Sequence, residues 1–175
     1  GPVDVAFLID AGRTAPIISA MASEFANIIS GLSIYKNDIQ YGYGTYVDYA
    51  LPPFGYASSG DKPFVLKHRI SADTFSVQDA MNSTFSHFGG DGPQSSLEGL
   101  YQGLTGAGYD QGCDGVYDAD TDVPPFVAGI DDIFGGSTTG AGASEAEGTG
   151  LRGGFGFRSN TTPIIVYVVD NYMRD

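Results

Sequence analysis

The chain has 175 residues and a mass of 18.3 kDa, the usual size of one domain and enough to bury a core. Apolar residues make up 42% of it and Phe and Tyr contribute 11 each, which excludes wholesale disorder. Eight basic against 21 acidic residues leave a net charge of −13, which disfavours a nucleic-acid binder or adsorption to an anionic membrane surface, since both need clustered Lys and Arg. Such a surface suits cations, basic partners or solubility in a salty exterior. No apolar run reaches the roughly 18 residues of a membrane span, and the single cysteine, Cys113, permits no internal disulfide.

Residues 3–9 are almost continuously apolar, which predicts a strand buried on both faces, ending at the polar turn Asp10-Ala11-Gly12-Arg13-Thr14. A helix follows, with Pro16 in its first turn and Ile17, Met21, Phe25, Ile28, Ile29 and Leu32 at helical spacing. Residues 39–47 alternate with aromatics as a strand does, and residues 50–56 read as an edge strand interrupted by Pro52-Pro53. A second helical pattern covers 71–88, with Ser71 or Asp73 as its cap, and a third helix is expected over 95–104. Residues 106–150 hold 11 glycines, nine acids and no Lys or Arg, the composition of a loop. The apolar run 163–169 predicts a second buried strand, closed by Asp170.

This alternation predicts an α/β fold, a doubly wound and mainly parallel sheet with helices on both faces. In such sheets ligands sit beyond the carboxyl ends of the strands, where Asp10 and Asp170 both fall. Two carboxylates on one rim, with the Thr14 hydroxyl on the same loop, make a hard oxygen site suited to Mg²⁺ or Ca²⁺.

Five segments, in order, resemble a von Willebrand factor A domain and more closely the I-like domain of integrin β subunits. They are Val3-Asp4-Val5-Ala6-Phe7-Leu8-Ile9-Asp10, then Tyr41-Gly42-Tyr43-Gly44-Thr45-Tyr46-Val47-Asp48 with Leu51-Pro52-Pro53-Phe54. Phe64-Val65-Leu66-Lys67-His68-Arg69-Ile70, Gly89-Gly90-Asp91-Gly92-Pro93-Gln94 and the stretch from Ile164 to Asn171 complete the set. About 120 residues are covered, and 106–160 has no counterpart. The resemblance implies a metal-ion-dependent adhesion site at Asp10, Thr14, Gln94 and Asp170. The family's first serine is Gly12 here and its glutamate is Gln94, so the charge is reduced and any Mg²⁺ or Ca²⁺ should be held weakly. The alternative is that Asp10 and Asp170 bond backbone amides and Arg13 without metal. A neighbouring second site would draw on Asp48, Asp91 and the Pro93 carbonyl, with Gly89 where the family has Asn. The family's third site is lost, its paired acids replaced by Ile17 and Ile18.

Independently of the resemblance, Asp114, Asp118, Asp120 and Asp122 are spaced like ligands of an irregular calcium loop, although Val123 and Gly129 stand where an EF-hand needs Gly and Glu. A solvated acidic loop is the plainer alternative. Two sequons, at Asn82 and Asn160, permit glycosylation on a eukaryotic secretory route. No nucleophile elbow, Walker loop or His pair supports catalysis; His68 and His87 read as structural or exposed, and Gly153, Gly154 and Gly156 follow no strand as a dinucleotide loop would. The expectation is therefore a single, C-terminally incomplete integrin-β-like A domain over 1–175 with a Gly/Asp-rich insert at about 106–160. Its expected role is that of a non-enzymatic extracellular or cell-surface module binding a protein partner. A structural subunit that self-associates by pairing an open sheet edge is the alternative, because complete members continue beyond the strand closed by Asp170.

Overall fold

A computed structural model of the chain describes residues 1–12, 15–126, 132–135 and 152–174. Its frame is a four-stranded sheet in the order β3-β2-β1-β4, built from β1 (Val3–Asp10), β2 (Ile39–Tyr46), β3 (Val65–Ser71) and β4 (Thr162–Val168). β1 runs parallel to β2 and to β4, and β3 pairs antiparallel with β2. The fold is thus mixed α/β with a mostly parallel sheet, and the two most apolar strands are neighbours.

The period-two alternation of β1 sends its side chains to two separate cores. Val5, Phe7 and Ile9 meet Ile18, Ala22 and Phe25 of α1 (Ala15–Ser33) and Val77 and Met81 of α2 (Thr74–Asn82). Phe25 is the hub of that face, edge-on to Phe7 at 5.9 Å and to Tyr41 at 5.6 Å. Ala6 and Leu8 face the other way, into a cluster of Phe64, Leu66, Val123, Phe126, Phe155 and Phe157 with Leu100 of α3 (Ser96–Thr105) at its margin. By its 19 residues and composition α1 is long and apolar enough for a membrane span, contrary to the expectation that no run reaches that length. Here its apolar stripe lies on the sheet.

Four expectations are corrected. β4 lies at the end of the sheet with Ile164 and Val166 exposed, not buried as its apolar run suggests. Residues 50–56 are turns around a cis Pro52–Pro53 peptide, not an edge strand; the strand at the edge beside β2 is β3, whose register with β2 shifts between Tyr41 and Gly44. α2 stops at Asn82 rather than 88, because Ser83 and Thr84 turn their hydroxyls back onto the Ala80 carbonyl and compete with the helix ladder. Its start is as expected: Asp73 caps it, accepting from the Ser76 amide at 3.1 Å. Finally, the glycine-rich region is in part a packed element. Val123, Phe126 and Phe134 are buried, as are Phe155 and Phe157 from the tight turn closed by paired Arg152 and Phe157 amides. Glycine makes that docking feasible: a Cβ on Gly103 would lie 2.7 Å from the Phe155 ring, and one on Gly154 2.5 Å from the Gln102 carbonyl.

The same turn delivers Arg158 to the start of β1. Asp4, fully buried, accepts from Arg158 Nε and from the Arg158 amide, each at 2.7 Å, and from Thr161 Oγ1 at 2.8 Å. The sequons' Asn82 and Asn160 are both exposed.

Candidate cation site at the sheet rim

β1 and β4 run parallel, so their carboxyl ends share one rim, and the residues that end them converge there. Asp10 is fully buried; the Gly12 amide donates to its Oδ1 at 2.6 Å and the Asp170 amide donates to its carboxylate. Burial pushes the Asp10 carboxyl up to about 6, helped by the nearby carboxylates of Asp170 and Asp48 and opposed by the two amides. Asp170 itself is exposed. A protein that places a buried carboxylate beside two others has made a position where added positive charge is favourable.

Gln94 joins them. Its side chain is almost fully buried, and Oε1 has no hydrogen-bond partner among the described residues. A Cβ built on Gly12 would lie 3.0 Å from both Asp10 Oδ1 and Gln94 Oε1, and one on Gly89 would lie 3.2 Å from Gln94 Nε2. The amide thus fills the room left by the missing side chains of Gly12 and Gly89. Of the expected ligand set, Asp10, Gln94 and Asp170 come together, whereas Thr14 and Arg13 lie outside the described residues. Two carboxylates and an unpartnered amide oxygen fit a hard cation, with less charge than a strong site has.

Asp48, Asp91 and the Pro93 carbonyl also converge, but on a guanidinium. Arg174 Nε and Nη2 each lie 3.2 Å from an Asp48 oxygen, and Nη2 donates to Asp91 at 2.5 Å and to the Pro93 carbonyl at 3.3 Å. Burial raises the Asp48 carboxyl, and Arg174 and the Tyr49 amide oppose it. Arg174 was not among the residues singled out in the sequence. Its signal was there: one of eight cations in a chain of net charge −13, four residues past Asp170.

In the acidic loop Asp114, Asp118 and Asp120 are exposed and Asp122 is buried, and three of the four carboxylates accept from nearby backbone amides. Asp114 accepts from the Val116 amide and Asp118 from the Asp120 amide, each at 2.8 Å. The buried Asp122 accepts from the Gln111 and Asp118 amides and the Thr121 hydroxyl. Among the described residues no group of three or more His, Cys, Asp or Glu side chains is arranged to hold a metal. Lys62 reaches this loop and donates to the Ala119 carbonyl. Burial lowers its ammonium pKa, and Asp120, Asp122 and Asp118 resist that shift.

One further pair lies under the rim. His87 Nε2 is 3.0 Å from the buried Asp61, while the His87 amide donates to the Ala11 carbonyl. No family model matches the chain, and no curated protein matches it.

Proposed function

We propose that the chain is a protein-binding module of the von Willebrand A type, doubly wound and closest to integrin β I-like domains. In this reading it acts at the cell surface or outside the cell, and without catalysis. It would hold Mg²⁺ or Ca²⁺ weakly through Asp10, Gln94 and Asp170, with Thr14 from the same loop, and bind a partner that contributes its own oxygen ligand. The bound ion would supply positive charge that attracts a partner carboxylate. The residues of this chain do the rest: Gly12 and Asp170 amides orient the Asp10 carboxylate, and the glycines at 12 and 89 let Gln94 Oε1 approach it.

The observation that carries this reading is the buried Asp10 carboxylate facing the unpartnered Gln94 oxygen at the carboxyl ends of two parallel strands. Calorimetric titration with Mg²⁺ and Ca²⁺ tests it. Weak binding that disappears in Asp10→Ala and tightens in Gln94→Glu is expected; binding indifferent to both substitutions would sink it. Gly12→Ser is a poorer gain-of-ligand test than the family pattern suggests, because its Cβ would crowd Gln94 Oε1.

A second reading has its own observation. Among the described residues β4 pairs on one side only, with β1, and exposes Ile164 and Val166. Such an edge is suited to strand addition from another chain, the behaviour of an assembly subunit. Light scattering at low protein concentration separates the two: a stable monomer leaves the adhesion reading, and an obligate oligomer dispersed by Val166→Lys favours assembly.

A further inference from the structure

The pocket of Asp48, Asp91 and the Pro93 carbonyl is built for a cation, and the side chain inside it comes from the segment that follows β4. Asp48 is fully buried and uses both oxygens on the Arg174 fork, with Oδ1 also accepting from the Tyr49 amide at 2.8 Å. Asp91 and the Pro93 carbonyl close the ring of acceptors, and the Phe54 ring lies 4.1 Å from the guanidinium carbon. The backbone of the same segment is docked as well. The Gln94 amide donates to the Tyr172 carbonyl at 2.9 Å, and the Arg174 amide donates to the Gln94 carbonyl at 2.6 Å. The guanidinium and the two-bond bridge hold one residue, Gln94, between them.

We propose that Arg174 is the resident cation of this pocket, and that a divalent ion such as Ca²⁺ enters it only by displacing Arg174 and loosening segment 171–174 from Gln94. The oxygens that bind the guanidinium are those a hard cation would take, so the two occupants exclude each other. An ion meeting the wild-type pocket must first undo the fork, the ring contact and the bridge, and its apparent affinity falls by the fraction of time the pocket is open. Removal of the arginine leaves two carboxylates and a carbonyl facing one another, with Asp48 buried and uncompensated. That is a much better site for an ion with two positive charges. The pocket therefore couples to the rim through Gln94: with Arg174 in place, Gln94 is pinned without any metal. This inference does not depend on an ion binding beside Asp10.

Calcium calorimetry in an Asp10→Asn background isolates the pocket from the rim. Arg174→Gln is expected to bind Ca²⁺ at least about tenfold more tightly than its Arg174 parent, and adding Asp91→Asn should abolish the gain. Arg174→Lys, which keeps a positive charge, should stay close to the parent. Thermal melts give a second readout: Ca²⁺ should raise the midpoint of Arg174→Gln and leave that of the parent unchanged. Equal Ca²⁺ affinity with and without Arg174, or a gain that survives Asp91→Asn, would overturn the proposal. So would an Arg174→Gln protein that fails to fold even in millimolar Ca²⁺, because the ion must be able to replace the guanidinium.

Discussion

The two ends of β1 carry the same residue in the same burial and treat it oppositely. Asp4, at the start, meets Arg158 through two side-chain nitrogens and a backbone amide, with the Thr161 hydroxyl beside them. Asp10, at the end, is held by two backbone amides in the company of Asp170 and Asp48, and its carboxyl rises to about 6. The first arrangement compensates a charge and fixes the return of the chain from residue 152 onward. The second leaves charge to be compensated. The structural carboxylate and the one proposed to face a cation are told apart here by what surrounds them, since exposure is zero for both.

That contrast can be broken at its strong end first. Arg158→Met strands the buried Asp4 charge and should cost about 3–5 kcal/mol, read as a lowered urea midpoint. A loss under 1 kcal/mol would mean that Asp4 needs no cation. At the other end the sign reverses. With divalent ions chelated, Asp10→Asn should gain about 1–2 kcal/mol at pH 7, because a neutral amide avoids the charge burial that raises the carboxyl. Between the ordinary carboxyl value of 3.8 and about 6 the folded protein holds a proton that the unfolded chain has released. Wild-type stability should therefore fall as pH rises through that window and level off above it, and Asp10→Asn should lose this part of the slope. A wild-type profile that rises there by the same amount as that of Asp10→Asn would contradict the assignment. The smallest effect sharpens the strong end: Thr161→Val removes one hydroxyl from Asp4 and should cost about 1 kcal/mol in the same urea series.

Much of the frame was legible because it rests on periodicity. β1, α1, β2 and β4 announce themselves by runs or stripes of apolar residues, and the pairing of β1 with β4 accords with Asp10 and Asp170 sharing one rim. β3 was harder, since Lys67, His68 and Arg69 interrupt its apolar side chains as an edge strand allows, while Leu51 to Phe54 looked more strand-like locally. The glycine-rich region misled through composition. Its aromatics at 126, 134, 155 and 157 carry the packing, and the glycines between them supply clearance rather than looseness. At the rim, Gly12 and Gly89 are visible in the sequence one by one. That Gln94 occupies the space of both became apparent only in three dimensions. Asp48, Asp91 and the Pro93 carbonyl, grouped by the resemblance as a second metal site, do come together, but on Arg174, which lies more than 80 residues from Asp91 in the chain, beyond the reach of any local pattern.

The parallel pairing of β1 with β4 also has a mechanical meaning. The chain enters this pair at Val3 and leaves it at Val168, at opposite ends of two adjacent strands that point the same way. A pull applied between those two points slides one strand along the other, so the ladder from Val3↔Thr162 to Ile9↔Val168 bears the load together instead of unzipping one rung at a time. Tension entering the sheet by this route would meet its stiffest direction.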